Sequence, residues 1–266
     1  MTQSYNNLEL NMKKICIFNQ KGGVGKTTTN INLCSYIAML GFKVLAIDID
    51  PQGNTTSGLG IDKRKLEKSM YDVVTNDVAL SEIIKQSELV SNLYIAPAKM
   101  ELAGAEVEII DKEKRELILQ EKIKEVENDF DFIFIDCPPS LGFLTINALT
   151  SCDSVLIPIQ CEFYALEGVG QLINTIQLVK KSLNKNLDIE GVIMTMYDSR
   201  TNLSNEVYKE VEKYFKDKVY KTTIPRNIRL AEAPSFGLPI MLYDEKCKGA
   251  EAYEQLTNEF IDRQKG

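Results

Sequence analysis

Short, nearly continuous apolar segments alternate along the chain with longer segments in which apolar residues recur every three to four positions. A continuous apolar run that is bounded by polar or glycine residues predicts a strand buried on both faces of a sheet. The predicted strands are KKICIFN (13–19), KVLAIDI (43–49), LYIAPA (93–98), FDFIFID (130–136), SVLIPIQ (154–160) and IEGVIMTMY (189–197).

Segments with helical periodicity fill the stretches between these strands. They are TTTNINLCSYIAML (27–40), SMYDVV (69–74), LSEIIK (80–85), DKEKRELILQEKIKEVEND (111–129), LEGVGQLINTIQLVKKSL (166–183), NEVYKEVEKYF (205–215) and GAEAYEQLTNEFIDR (249–263). Gly41 is expected to cap the first helix. The residues expected to face inward are Leu119, Ile123 and Val126 in the charged helix, and Tyr253, Leu256 and Phe260 in the last helix.

The alternation of strands with helices predicts the fold class. Parallel strands need crossover connections, and helices commonly supply them on both sides of the sheet. We therefore expect an α/β fold in one domain, with a mainly parallel twisted sheet flanked by helices on both faces.

Composition restricts the function of this domain. The chain has 266 residues, of which 44% are hydrophobic and 26% are charged, and its net charge is -7. The acidic balance excludes a wholly basic nucleic-acid binder but is compatible with a local basic patch. Histidine is absent, which excludes histidine-based catalysis and histidine metal sites. The six cysteines lack C-x-x-C spacing and lie mostly in apolar runs, so we expect them to be reduced and buried.

Targeting signals are not recognisable in the sequence. Residues 1–12 form a polar N-terminal extension without the apolar core of a signal peptide. No apolar run approaches the ~18 residues that a membrane helix needs. We therefore expect the protein to be cytoplasmic and not to associate with a membrane.

The stretch FNQKGGVGKTTTN (18–30) lies between the first predicted strand and the first helix. Such a glycine loop directs backbone N–H groups and the helix dipole at anionic oxygens. The usual pattern places its first glycine where this chain has Gln20, and a second lysine, Lys21, follows. The residues predicted to hold a nucleoside triphosphate are Lys21, Gly22, Gly23, Val24, Gly25, Lys26, Thr27 and Thr28.

Acidic residues end two of the predicted strands. Asp136 closes FDFIFID, and Asp48 and Asp50 close KVLAIDIDPQ. Ligands collect at the carboxyl ends of parallel strands, and Mg²⁺ prefers oxygen ligands. We therefore expect Thr27 and Asp136 to hold Mg²⁺, with Asp48 supporting that site.

These motifs resemble those of a known ATPase family. KGGVGKTT resembles the deviant Walker A loop, DIDPQGN the second motif of that class, and FIFIDCPPS its Walker B strand. LIPIQCEFYALEGV, MTMYDSRTNLS and TTIPRNIRLAEAPSFGLPI resemble the ParA/Soj branch, the DNA-partition ATPases. The resemblance covers about Lys13 to the C-terminal helix, so residues 13–266 are identified as a ParA-like P-loop ATPase domain.

The resemblance implies how the two lysines work. In similar ATPases two protomers enclose ATP, with one lysine acting on its own nucleotide and the signature lysine reaching the nucleotide of the partner. Lys26 is then the first of these and Lys21 the second, and Asp50 orients the attacking water. The implied activity is a slow, Mg²⁺-dependent, partner-stimulated hydrolysis of ATP to ADP that dissociates an ATP-bound homodimer.

The resemblance also implies where the base and the partners bind. Pro225 and Asn227, with Met196, are placed beside the base, and ATP is favoured over GTP because no N-K-x-D motif occurs. Sequence-independent binding of double-stranded DNA is assigned to Arg200 and Arg229. Other cations that could widen the patch are Arg226, Lys218 and Lys221. A centromere-binding protein of the ParB type and association with the nucleoid are also implied.

Three other functions share this loop. A MinD-like cell-division ATPase would end in a basic amphipathic membrane helix, whereas this tail, EAYEQLTNEFIDRQKG, is mixed in charge. An iron–sulfur carrier would need projecting cysteine ligands, and Cys137 directly follows Asp136. The third alternative is a nucleotide-switched regulator of replication or sporulation, and no feature of the sequence distinguishes it from a partition ATPase.

Overall fold

A seven-stranded sheet forms the centre of the computed structural model, which describes residues 11–162 and 165–265 and only the backbone of 165–167. The predicted N-terminal extension therefore lies outside the described residues, except for Asn11 and Met12, as does the FY pair of LIPIQCEFYALEGV. The strands are β1 Lys13–Ile17, β2 Val44–Asp48, β3 Lys85–Gln86, β4 Leu93–Ala96, β5 Phe132–Asp136, β6 Ser154–Gln160 and β7 Asp188–Thr195.

The strand order across the sheet is β3-β4-β2-β5-β1-β6-β7. All neighbouring strands are parallel except β3, which pairs antiparallel with β4 at one edge. The first strand thus lies near the middle, with β5 on one side and β6 on the other. The expectation of a mainly parallel sheet is confirmed.

Helices cover both faces of this sheet. Their bounds are α1 Lys26–Met39, α2 Asn54–Gly58, α3 Met70–Thr75, α4 Leu80–Ile83, α5 Ala105–Glu108, α6 Ile118–Lys124, α7 Phe143–Ser151, α8 Ala165–Ser182, α9 Asn202–Phe215, α10 Ile228–Glu232, α11 Ile240–Tyr243 and α12 Lys248–Arg263. Side chains of successive strand residues alternate between two apolar cores. Helices α1 and α10 to α12 contribute to one core, and helices α3 to α9 to the other.

Several helical segments differ from the prediction, and the short helices α2, α5, α10 and α11 were not among those predicted. The charged segment 111–129 is not one helix: only α6 and two flanking 3₁₀ turns form, and Lys114 before them has a left-handed φ of 54°. Leu119, Ile123 and Val126 are nevertheless buried as expected. Helix α7 was not predicted, because its short apolar sequence FLTINALTS shows no clear period. The core thus selects the inward residues even where the helix is interrupted.

The C-terminal helix α12 packs its apolar side into the core against α1. Tyr253, Leu256 and Phe260 are at most 1% exposed. The Tyr36 hydroxyl donates to the Ala250 carbonyl at 3.0 Å, and the hydroxyls of Thr29 and Tyr253 lie 3.1 Å apart. Within the described residues, none of the helices has the length and apolar character needed to cross a bilayer. The apolar face of α12 is therefore occupied by the protein itself.

The six cysteines are free, and Cys16, Cys34, Cys137 and Cys152 are buried. The sulfur atoms of Cys16 and Cys137 lie 3.1 Å apart on the adjacent chain segments of β1 and β5. Cys161 and Cys247 are partly exposed, so the expectation of burial holds for four of the six. The buried thiols face the core, whereas the iron–sulfur alternative would need them at a surface.

Replacing Gly191 in β7 by alanine is expected to destabilise the fold. A Cβ atom at this position would lie 2.4 Å from Cε2 of the Tyr220 ring and 2.9 Å from the Lys218 carbonyl oxygen. Tyr220 is fully buried beneath the Arg263 guanidinium, so the ring has little room to move. The expected loss is about 1–3 kcal/mol of unfolding free energy, measured by urea denaturation.

The control for that measurement is Gly170→Ala on the exposed side of α8. No atom lies within 4 Å of a Cβ built at Gly170. Alanine there is expected to stabilise the helix by up to about 1 kcal/mol. Equal stability of Gly191→Ala and the original protein would show that Tyr220 yields without cost.

Candidate nucleotide-binding site

The glycine loop joins the end of β1 to the start of α1. Gly23 and Gly25 have left-handed φ angles of 76° and 92°, which residues with a Cβ rarely adopt. The Thr195 hydroxyl at the end of β7 donates to the Val24 carbonyl at 2.8 Å. The end of β7, which β6 separates from β1, thus helps to hold the loop in a conformation that its glycines permit.

Lys26, the first residue of α1, is only 6% exposed. Its ammonium donates to the Lys21 carbonyl at 3.0 Å, across the loop. Burial lowers the pKa of Lys26, and the Asp136 carboxylate opposes this effect. A buried ammonium inside a ring of loop backbone is a strong attractor for the oxygens of a triphosphate.

Lys21 differs from Lys26 in its exposure. Its side chain is 42% exposed and forms an ion pair with Glu162, two residues beyond the end of β6. Its backbone N–H donates to the Asn19 side chain at 3.0 Å. The two lysines of the loop therefore lie in different surroundings: Lys26 is buried inside the site, and Lys21 lies exposed at its rim. Sequence reasoning did not single out Glu162, because an isolated acidic residue carries no local signal.

The acidic strand ends lie side by side, because Asp48 of β2 and Asp136 of β5 are paired in register. Both residues are fully buried. Burial raises the pKa of each carboxyl, and the Asp136 charge raises that of Asp48 further. Hydrogen bonds from Thr55 and Thr27 lower the pKa of Asp136 in part. A cation placed here would favour the ionised forms.

The oxygens of Asp136 are unequally satisfied. Its Oδ2 accepts hydrogen bonds from the hydroxyls of Thr27 and Thr55, each at 2.8 Å. Its Oδ1 is buried and has no hydrogen-bond partner in the described part of the chain. A buried carboxylate oxygen without a partner is costly, unless it binds a cation or an ordered water. The hard oxygen donors of Thr27 and Asp136 therefore fit Mg²⁺.

Asp48 is held by its own chain. Its Oδ2 accepts from the backbone and the hydroxyl of Thr56, at 2.8 and 2.7 Å, and its Oδ1 accepts from the Asp50 N–H at 3.2 Å. These bonds occupy both oxygens with protein donors. The residue thus fixes the segment that follows β2.

Asp50 lies in that segment, two residues after β2 ends, and is 8% exposed. Its Oδ1 accepts from the Gln52 N–H at 2.9 Å, and its carbonyl accepts from the Gly53 N–H at 2.8 Å. The aspartate therefore begins a tight turn at the carboxyl edge of the sheet, next to Asp48 and Asp136.

A cavity of about 440 Å³ lies beside the loop. Gly25 and Thr28 line it on one side, and the predicted base-binding residues Met196, Pro225 and Asn227 line it as well. The side-chain oxygen Oδ1 of Asn227 already accepts a hydrogen bond from the Arg229 N–H at 2.8 Å, which leaves the side-chain NH₂ to bind a ligand. Leu230 and Tyr253 also line the cavity. They come from α10 and α12, and no local motif pointed to them.

The three predicted DNA-binding arginines differ in their surroundings. Arg200 and Arg226 line a second cavity of about 700 Å³, together with Lys248. Arg200 is 87% exposed at its side chain and pairs with Asp198 through two hydrogen bonds of 2.9 and 2.7 Å. Arg229 pairs instead with Glu232 at 2.9 Å and Asp244 at 3.4 Å. Lys248 was not predicted, because the sequence gives no signal that α12 begins at this cavity.

The suggestion that Lys218 widens this patch is wrong. Lys218 forms an ion pair of 3.1 Å with Asp188, the first residue of β7. The candidate site lies at the other end of the strand, past Thr195. Eight residues of strand separate the two ends by roughly 23 Å, at about 3.3 Å per residue. The charge of Lys218 therefore lies at the amino end of β7, and the candidate site lies beyond its carboxyl end.

Comparison with known proteins agrees with this geometry. A family model described as an AAA domain matches residues 12–189. The chain is 57% identical, over 93% of its length and 97% of the relative's, to the sporulation initiation inhibitor protein Soj of Bacillus subtilis. It is 48% identical to the chromosome-partitioning ATPase Soj of Treponema pallidum, over 94% and 98% of the two chains.

The fold matches a solved structure that carries a nucleotide. Cobyrinic acid a,c-diamide synthase from Mycobacterium smegmatis, solved with a bound ATP analog and magnesium, aligns with a TM-score of 0.83 and 36% identity over 96% of each chain. The two-lysine loop, the paired acidic strand ends and these relatives lead to one conclusion. The chain belongs to the ParA/Soj family of partition ATPases.

Proposed function

We propose that the chain is a Mg²⁺-dependent ATPase that partitions chromosomal or plasmid DNA through an ATP-bound homodimer. The observation that carries the proposal is the presence of a buried loop lysine, Lys26, near a buried carboxylate, Asp136, one oxygen of which has no hydrogen-bond partner among the described residues. This arrangement provides one positive and one negative group for a magnesium–triphosphate complex.

The phosphates are proposed to bind within residues 21–28. Lys26 would exchange its bond to the Lys21 carbonyl for the outer phosphate oxygens, and the loop N–H groups would hold the remainder. Thr27 and Asp136 would hold Mg²⁺, and Asp48 would fix the adjoining segment. The metal supplies charge neutralisation between the phosphates.

Hydrolysis is assigned to Asp50. Phosphoryl transfer requires alignment and charge stabilisation more than covalent chemistry, and the chain has no histidine to provide a base. Asp50 lies at the same sheet edge as Asp136, on a turn fixed by Gln52 and Gly53. Its carboxylate would accept a hydrogen bond from the attacking water and hold it in line.

Lys21 is proposed to act on the nucleotide of a second protomer. Its exposed ammonium is bound to Glu162 in a single chain, and a triphosphate offers a more concentrated negative charge than one carboxylate. ATP in both sites would then draw two protomers together, and loss of the γ-phosphate would weaken that attraction. Hydrolysis thereby becomes the step that separates the dimer.

Adenine is proposed to occupy the cavity lined by Met196, Pro225 and Asn227. The Asn227 amide NH₂ can donate to an acceptor on the adenine edge, and the apolar lining can contact the ring. The cavity adjoins Gly25 and Thr28, so a base placed there stays within reach of a triphosphate in the loop.

DNA binding is assigned to Arg200, Arg226 and Arg229. The two exposed arginines that pair with acidic neighbours, Arg200 and Arg229, would exchange these carboxylates for phosphates. Exposed ion pairs are weak, so the exchange costs little. A dimer doubles the number of phosphate contacts, and contacts to phosphates carry no sequence information, so binding without sequence preference is part of the proposal. Nucleoid association and a ParB-type activator are part of this proposal.

ATPase activity measured with and without DNA and a candidate ParB-type protein tests the proposed function. Slow hydrolysis by the protein alone and strong stimulation only when both are present is the expected result. A rate that does not respond to DNA and partner together would contradict a role in partition. Replacement of Mg²⁺ by EDTA serves as the control and should remove all hydrolysis.

A second candidate function is a nucleotide-switched regulator of sporulation or replication. The name of the Bacillus subtilis relative, a sporulation initiation inhibitor protein, favours it. Imaging of replication origins in cells that lack the protein separates the two. Origins that segregate normally would favour the regulator.

A further inference from the structure

Two adjacent threonines on the short helix α2 each bind one of the buried carboxylates. Thr55 donates its hydroxyl to Asp136 Oδ2 at 2.8 Å, and Thr56 donates its hydroxyl to Asp48 Oδ2 at 2.7 Å. Both threonines are fully buried. Helix α2 therefore connects the two acidic strand ends to the segment that contains Asp50.

The direction of the Thr55 proton is fixed by a third residue. The Asn30 amide nitrogen donates to the Thr55 hydroxyl oxygen at 3.1 Å. The Cys34 thiol donates to the Asn30 amide oxygen at 3.6 Å, which determines how the amide is oriented. Because Asn30 supplies a proton to the hydroxyl, the single proton of Thr55 is available for Asp136 alone.

The consequence for Asp136 is that one oxygen is saturated while the other is open. Thr27 and Thr55 both donate to Oδ2, and within the described residues Oδ1 has no partner. Two donors on one oxygen fix the rotation of the carboxylate group. Oδ1 keeps its lone pairs for a cation, and the Thr27 hydroxyl oxygen also retains lone pairs.

We propose that Thr55, held in place by Asn30, is a positioning residue for the magnesium-binding carboxylate of Asp136. The proposal rests on the magnesium–ATP site of the proposed function and adds a residue that the sequence motifs did not single out. Thr55 acts through Asp136 and does not touch the metal.

The test is Mn²⁺ binding in the presence of a non-hydrolysable ATP analog, with free Mn²⁺ measured by electron paramagnetic resonance. Thr55→Val keeps nearly the same shape but cannot donate to Asp136. Its Mn²⁺ affinity is expected to fall by about 10- to 100-fold, the usual effect of losing such a supporting hydrogen bond. Thr55→Ser restores the hydroxyl and is expected to restore most of the affinity.

Two further variants separate positioning from folding. Thr257→Val is the matched control, because Thr257 is also a buried threonine, but its hydroxyl donates at 2.8 Å to the Tyr253 carbonyl. It should keep the original Mn²⁺ affinity. Asn30→Ala should weaken Mn²⁺ binding in the same direction as Thr55→Val, and the double variant should be no weaker than Thr55→Val alone. If Thr55→Val does not fold, Asn30→Ala decides.

The possible failures are distinguishable. Original Mn²⁺ affinity in Thr55→Val, or equal weakness of Thr55→Ser and Thr55→Val, overturns the positioning role while the magnesium–ATP site stands. Failure of the unaltered protein to bind Mn²⁺ with the nucleotide overturns both the site and this inference. Binding of the nucleotide in EDTA should be the same in Thr55→Val as in the unaltered protein.

Discussion

Asp50→Ala is expected to abolish ATP turnover while preserving ATP binding and ATP-dependent dimerisation. The carboxylate lies near Asp136 at the carboxyl end of the sheet, and in the described structure it accepts a hydrogen bond from the Gln52 N–H of its own turn. The phosphates and the metal are assigned to other residues, so binding should remain. Loss of the group that aligns the water should lower the rate by about 100-fold or more.

The measurements for this variant are steady-state phosphate release and sedimentation velocity with saturating ATP and Mg²⁺. Dimers should accumulate, because ATP is bound but not cleaved. Asp217→Ala is the control, since Asp217 is exposed and lies beside Lys218, near the amino end of β7 and away from the site. Turnover at the original rate in Asp50→Ala would remove Asp50 from the mechanism, and a monomer under these conditions would remove the dimer.

Arg229→Glu is expected to abolish binding to nonspecific DNA at moderate salt without affecting dimerisation. Arg229 lies between Glu232 and Asp244, so the substitution turns a partly neutralised position into a cluster of three acidic groups. Such a cluster repels phosphates in both protomers of a dimer. Each lost phosphate contact also lowers the salt dependence of binding by about 0.9 in the log–log slope.

Retention on DNA at several salt concentrations measures this effect, with sedimentation velocity as the test of dimerisation. Lys185→Glu is the matched control, because it makes the same change of charge at an exposed residue. Lys185 lies just before β7, at the amino end of that strand and away from the site. Unchanged retention of Arg229→Glu would exclude Arg229 from the DNA surface. Equal loss in Lys185→Glu would show that only net charge matters.

Much of the fold could be predicted because its signals are local. The six predicted strands correspond to β1, β2 and β4 to β7, and the glycine loop lies between β1 and α1 as expected. Strand β3 was missed, since two exposed polar residues at an edge give no apolar run. The helix predicted over 111–129 was too long, because charged residues with high helix propensity continue past the part that the core supports.

Only some residues of the candidate site carry a local signal in the sequence. Thr27 was predicted from the pattern of the glycine loop, and Asp48, Asp50 and Asp136 were predicted because a parallel sheet brings the carboxyl ends of its strands together. Thr55 and Glu162 were missed, since a single threonine or glutamate has no periodic context. Lys218 was wrongly added to the basic patch, because closeness to Arg226 in sequence does not show at which end of the strands a cation lies.

The strand–loop–helix unit, the two lysines and the acidic strand ends could be predicted from the sequence, since each depends on neighbours within a few positions. Tertiary contacts, by contrast, determine which oxygen of Asp136 is without a partner among the described residues and which helices line the cavity beside the loop. Those outcomes depend on contacts between distant segments, such as Thr55 with Asp136 across 81 positions and Thr29 with Tyr253 across 224. Helix packing on the sheet sets such contacts, and local periodicity does not encode them.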